Sequence, residues 1–109
     1  MPSAPPTIFP SELKLLAEFG ERLRLARLRR QLGVADVAAR ARISRTTLHR
    51  VEAGSAAVSL GTYVRVLSVL HLADDLAAVA ADDRLGRRLQ DLGLPMRQRA
   101  SKAKVLGGT

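Results

Sequence analysis

The sequence predicts an all-α fold of five to six helices around a single core. Apolar residues recur at helical spacing, capping residues precede several of these runs, and no stretch alternates apolar and polar residues as a half-buried strand would. The chain has 109 residues, enough for one domain, and it contains no cysteine. Packing alone must therefore hold the fold.

The first two helices are delimited by proline, serine and glycine. Four of the five prolines lie in residues 1–10 and predict an extended, flexible arm. Ser11 is the predicted N-cap of a helix that runs to about Leu32 and is closed by Gly33. Its apolar positions are Leu13, Leu16, Phe19, Leu23 and Ala26. A second, alanine-rich helix follows over 34–41, and its small side chains favour a close crossing with a neighbour.

Two of the remaining helices start at serine caps. Ser44 predicts a third helix that runs to about Ala53 and is ended by Gly54. Ser59 predicts a fourth over 60–72, and further helices are predicted over about 74–81 and 83–92. The apolar stripe of the fourth helix comprises Leu60, Tyr63, Val64, Leu67 and Leu70. We assign residues 11–92 to the domain and residues 93–109 to a basic, flexible tail.

Charge is distributed unevenly along the chain, whose formal net charge is +8. Residues 21–50 contain nine arginines against two acidic residues, residues 51–83 are acidic, and residues 84–109 are basic again. Such asymmetry favours a polyanionic partner, DNA or RNA before an anionic membrane surface. The alternative is a surface kept soluble by arginine. The scarcity of aromatic residues argues against RNA recognition by base stacking.

Other function classes find little support in the sequence. The chain has only two histidines, His49 and His71, so a histidine metal cluster is excluded, and the acidic pairs 74–75 and 82–83 are more simply favourable contacts with helix dipoles. No nucleophile with a base partner or phosphate-binding glycine loop is evident. No segment has the length of a bilayer span or the pattern of a signal peptide. We expect a cytoplasmic protein with no enzymatic activity, metal or cofactor.

The third predicted helix carries one polar and one apolar face. At about 100° per residue, Arg45, His49, Thr46 and Arg50 share an arc of roughly 140°, and the apolar residues lie opposite. Together with the preceding helix and a short turn, it forms a predicted helix-turn-helix over 34–54. In such a unit the second helix enters the major groove of duplex DNA while the first crosses the phosphate backbone.

The run LGVADVAARARISRTTLHRVEAG resembles the helix-turn-helix of Xre/Cro-type repressors. The resemblance implies a lambda-repressor-like domain and a structural ion pair between Arg27 and Glu52. The base readers that it implies are Arg45, Thr46, His49 and Arg50, and the residues nearer the phosphates are Ser44 and Thr47. Two alternatives stay open. The arginines could contact only phosphate, and His49 could be a solvated helix residue.

The sequence departs from the family pattern in two places. Val34 replaces the glutamine often found at the start of the first motif helix, and Gly33 is the cap before it, so side-chain contacts with phosphate are lost at both positions, although backbone N–H groups at the helix start could still serve. Arg42 occupies the turn position at which the family usually has glycine in a left-handed conformation. An arginine there costs on the order of 1 kcal/mol, which a fold can tolerate. We expect its guanidinium to lie near the backbone of bound DNA.

Assembly and partners are suggested by the C-terminal half. Seven apolar residues exceed what a five-helix core needs and suggest a homodimer, although a sixth helix could pack them within one chain: Leu70, Leu72, Leu76, Val79, Leu85, Leu89 and Leu92. The run VSLGTYVRVLSVLHLADDLAAVA, followed by LPMRQRA, is similar to HipB-type antitoxins. This similarity implies a HipA-type kinase toxin as partner; the competing interpretation is an autonomous Xre-type regulator that shares the same operator-binding residues.

Overall fold

The computed structural model describes residues 8–94, in which helices joined by turns and short loops are present and no strand occurs. The five α-helices are α1 (Pro10–Arg29), α2 (Val34–Ala41), α3 (Arg45–Glu52), α4 (Leu60–Val69) and α5 (Arg84–Asp91). A 3₁₀ helix covers Ala73–Ala78. The chain divides into two compact units, Met1–Ala77 and Ala78–Thr109, and the first contains α1 to α4. The predicted all-α class is confirmed.

Helix α1 begins one residue earlier than its predicted cap. Pro10 is its first residue, and the N–H of Phe9 donates to the Glu12 carboxylate over 3.1 Å. Proline suits this position because the first N–H groups of a helix have no intrahelical acceptor. The predicted N-cap at Ser11 is therefore wrong, and Pro10 belongs to the helix rather than to the arm. Residues 1–7 of that arm lie outside the described residues.

The connection from α1 to α2 also differs from the prediction. Helix α1 ends at Arg29 rather than near Leu32, and Gln31 adopts a left-handed conformation with φ of 57°. Gly33 is the N-cap of α2, not the end of α1. The bounds of α2 agree with the prediction. Ala38 and Ala41 are buried, so these small side chains of α2 face the core as expected.

The core of the first unit is built from one face of each of the helices α1 to α4. Its buried apolar members are Leu23, Ala26, Val37, Ala38, Ala41, Leu48, Val51, Tyr63, Val66, Leu67 and Leu70. The Phe19 ring stacks on Tyr63 with centroids 5.4 Å apart, and the Tyr63 hydroxyl donates to the Ser55 carbonyl over 2.7 Å. Burial raises the pKa of Tyr63. The predicted stripe is wrong at Leu60, which is 64% exposed; Val66 is buried instead.

The C-terminal elements are shorter than predicted. Helix α4 stops at Val69, and His71 turns the chain with φ of 61°. The predicted fifth helix is the 3₁₀ helix, while Asp83 caps α5 by accepting from the N–H of Gly86 over 2.9 Å. Within residues 78–94 no residue is buried. Most of the predicted basic tail, residues 95–109, lies outside the described residues.

Candidate nucleic-acid interface

Helices α2 and α3 are joined by a tight turn at Arg42. Its φ of 58° and ψ of 46° place this arginine in the left-handed region, as expected for a position that glycine usually holds. The N–H of Arg42 donates to the Ala39 carbonyl over 3.2 Å, and the N–H of Ile43 donates to that of Ala38 over 3.0 Å. These bonds satisfy carbonyls at the end of α2 and redirect the chain into α3.

Arg65 holds this turn from α4, a contact that the sequence analysis missed. Its Nε donates to the Ala41 carbonyl and its Nη2 donates to the Arg42 carbonyl, each over 3.0 Å. Carbonyls at the end of a helix have no intrahelical donor, so Arg65 satisfies two of them at once. The sequence did contain one indication of a special role for Arg65, because it is the only charged residue in α4.

Ser44 and Thr47 form the cap of α3. The Ser44 hydroxyl oxygen accepts from the N–H of Thr47 over 3.0 Å, and the hydroxyl donates to the Thr47 side-chain oxygen over 2.9 Å. This arrangement uses the Ser44 proton but leaves the Thr47 proton available for an external acceptor. The cap thus fixes the end of α3 that carries the predicted DNA contacts.

The outward face of α3 carries the four predicted base readers. Arg45, Thr46, His49 and Arg50 are all exposed. Leu48 and Val51 lie on the opposite side and are fully buried. Within residues 8–94, none of the four exposed side chains is engaged in a hydrogen bond or an ion pair, so this face has donors and positive charge available for a partner.

The acidic residue of α3 is neutralised inside the fold. Arg27 and Glu52 form a bidentate ion pair, with Nε–Oε2 at 2.7 Å and Nη2–Oε1 at 3.0 Å, and their side chains are only 10% and 7% exposed. Arg27 also donates to the Leu32 carbonyl over 3.1 Å. Its hydrogen bond to Glu52 raises the pKa of Arg27. This is the pair that the family resemblance implied, and because Glu52 is the only acidic residue of α3, the outward face carries no negative charge.

Two glycines allow α1 to pack directly against the end of α3. A Cβ atom added at Gly20 would lie 2.6 Å from the Glu52 carbonyl oxygen and 2.6 Å from the Gly54 nitrogen. Gly54, with φ of 74°, ends α3 as predicted and faces the backbone of α1. This close approach brings Arg27 within reach of Glu52 and fixes the orientation of α3.

The comparisons with known proteins point to the same motif. A family model described as a helix-turn-helix domain matches residues 18–80, which is more than half of the chain. Neither the search of curated proteins nor the search of solved structures gave a match. Among the described residues, no helix is long and apolar enough to cross a bilayer.

Proposed function

Because the chain belongs to the family of helix-turn-helix domains and is a DNA-binding regulator, we propose that it is a sequence-specific transcriptional repressor. The observation that carries the proposal is the outward face of α3, which is exposed, carries positive charge and forms no hydrogen bond or ion pair through its side chains within the described residues. An α-helix fits the major groove of B-form DNA, where the base edges can be distinguished. The proposal places the protein in the cytoplasm, on the DNA of the cell.

Within this face we assign different contacts to different residues. Arg45 and Arg50 read bases, since an arginine can donate two hydrogen bonds to guanine O6 and N7. Thr46 and His49 contact neighbouring base edges. The residues that position the helix on phosphates are Arg42, Ser44 and Thr47, and the Thr47 hydroxyl has a proton to donate.

We also propose that the repressor acts as a homodimer, because one such module covers too little DNA for tight specific binding. Leu85, Leu89 and Leu92 are exposed at helical spacing along α5 and form an apolar stripe. Leu70 is withdrawn from the predicted dimer set because it is fully buried in the core. Sedimentation at micromolar concentration should show a dimer, and Leu89→Asp should shift it to a monomer.

The test of base reading begins with selecting a binding sequence from a random duplex library. Arg45→Ala and Arg50→Ala should each weaken binding to the selected duplex by about 1 to 3 kcal/mol in gel-shift titrations. Binding to unrelated duplex should weaken much less. Lys14→Ala is a matched control, since it removes one exposed cation outside the helix-turn-helix. Equal losses of affinity on both duplexes would show that these arginines contact phosphates and do not read bases.

The sequence resemblance supports a more specific role, that of an antitoxin in a HipA/HipB-type operon whose promoter the dimer represses. The alternative is an autonomous Xre-type regulator without a toxin. The segment LPMRQRA, which contributes to the resemblance, extends outside the described residues. A HipA-like kinase gene adjacent to this one, whose product co-purifies with the full chain, would favour the antitoxin role. An adjacent kinase that does not co-purify would favour the autonomous regulator.

A further inference from the structure

An open pocket of about 230 Å³ lies beside the helix-turn-helix, where the end of α2 meets α4. Its polar lining consists of Arg40, Arg42, Arg65 and the hydroxyl residue Ser68, and none of the described carboxylates lines it. We propose that this pocket is a phosphate-binding site, distinct from the outward face of α3. Three guanidinium groups and a hydroxyl supply the donors that a phosphate oxygen accepts best.

Arg65 is preorganised for this role. Its bonds to the Ala41 and Arg42 carbonyls use the Nε proton and one Nη2 proton. A guanidinium has five N–H donors in a fixed plane, so three remain for a ligand. Because the carbonyls hold the group in place, a phosphate binding there need not immobilise a freely rotating side chain.

Arg40 and Arg42 add two exposed cations. Neither side chain is hydrogen-bonded or ion-paired within residues 8–94. Arg42 keeps its cation at a left-handed backbone position where glycine would be unstrained. Like charges around one pocket repel each other, and an anion bound between them relieves that repulsion.

A phosphate group could come from the DNA backbone or from a free phosphate ester. Arg42 lies two residues before Ser44, the cap of α3, so the pocket adjoins the end of the helix that carries the base readers. A phosphate flanking the base pairs read by α3 is the source that we favour. This DNA assignment rests on the proposed function, whereas the phosphate chemistry of the pocket does not.

Whether the bound phosphate belongs to the DNA backbone is tested by the salt dependence of binding to duplex of random sequence. Arg40→Gln should reduce the steepness of log K against log salt by about 0.9, the value for one lost phosphate contact. Its affinity should fall equally on selected and random duplex, because a phosphate contact carries no sequence information. Ser68→Ala should give a smaller loss of affinity. Lys14→Gln is the charge-matched control and should leave the steepness unchanged.

The free-phosphate source is tested by titrating the full chain with inorganic phosphate while recording the NMR signal of the Arg65 Nε–H group. Ionic strength is held constant, and chloride serves as the reference anion. We expect a saturable shift with phosphate in the unsubstituted protein. In Arg40→Gln, saturation should require several-fold more phosphate.

The outcomes separate this site from the proposed function. A reduced salt dependence in Arg40→Gln supports the site and assigns it to the DNA backbone. A phosphate-dependent Arg65 shift with unchanged salt dependence supports the site and assigns it to a free phosphate ester. If the protein binds duplex but neither change occurs, the site is overturned and base reading by α3 stands. If the protein does not bind duplex at all, the proposed function fails, and the phosphate titration alone decides whether the pocket is a phosphate-binding site.

Discussion

Both faces of α3 carry charged side chains, but the charge is buried and paired on the inner face and exposed and unpaired, among the described residues, on the outer face. On the inner side, the charge of Glu52 is buried and paired with Arg27, and Leu48 and Val51 are fully buried. On the outer side, Arg45 and Arg50 are exposed, and their side chains form no hydrogen bond or ion pair within the described part of the protein. The inner face therefore determines where the helix lies, and the outer face is left for a ligand. Substitutions on the two faces should have separable effects on stability and on DNA binding.

The largest effect is expected from breaking the buried ion pair. Arg27→Ala leaves the Glu52 carboxylate buried without its partner, which should lower the free energy of unfolding by about 3 to 5 kcal/mol in urea titrations. The control is Arg24→Ala. Arg24 pairs with Glu21 over 3.1 Å on an exposed surface, so its loss should be below about 1 kcal/mol. Equal losses from the two variants would contradict a structural role for the buried pair.

The next effect tests the close approach of α1 to the end of α3. Alanine is favoured over glycine inside a helix by about 1 kcal/mol, so Gly20→Ala would ordinarily stabilise α1. Here the added methyl meets the Glu52 carbonyl, and we expect a net destabilisation of about 1 to 3 kcal/mol. Gly61→Ala in α4 is the control, because its nearest atom would be the Ser59 hydroxyl oxygen at 3.9 Å. Thermal unfolding should show a stabilised Gly20→Ala variant only if α1 and α3 lie farther apart.

A smaller effect is expected at the turn between the two faces. Arg42→Gly removes the side chain from a left-handed backbone position. Its free energy of unfolding, measured in urea titrations, should exceed that of Arg42→Ala by about 1 kcal/mol. Both variants lose the same charge, so their difference isolates backbone strain. Both should bind duplex DNA more weakly than the unsubstituted protein, because each lacks the cation. Identical stabilities would place residue 42 outside the left-handed region.

The smallest change in stability is expected on the outer face. Arg45→Ala breaks no hydrogen bond or ion pair of the described residues and should leave the free energy of unfolding within about 0.5 kcal/mol of the unsubstituted value. Its effect on binding to the selected duplex should nevertheless be large. Urea unfolding and gel shift measured on the same preparation provide the comparison. A loss of stability comparable to that of Arg27→Ala would show that Arg45 supports the fold.

Helix starts and ends were predictable to different degrees. Ser44 and Ser59 cap helices as expected, since each accepts from a backbone N–H three residues ahead. Asp83, predicted as the approximate start of a helix, caps α5 in the same way. Ser11 does not cap, because Pro10 suits the first turn and Glu12 accepts from the N–H of Phe9. Helix ends were less predictable. The left-handed residues Gln31 and His71 end their helices earlier than the apolar pattern indicates, and glutamine is not a residue type enriched in that conformation.

The sequence alone determined the all-α class, the bounds of α2, the cap of α3 and the clustering of arginine around the helix-turn-helix, because caps and helical periodicity are local properties. Only the tertiary structure separated the roles of those arginines. Arg27 pairs with a residue 25 positions away, Arg65 reaches a turn 23 and 24 positions away, and the Arg45 side chain has no hydrogen-bonding or ionic partner among residues 8–94. All three side chains end in a guanidinium group, so their chemistry does not distinguish their roles. Whether such a group supports the fold or is free to bind depends on the acceptors that packing brings within hydrogen-bonding distance.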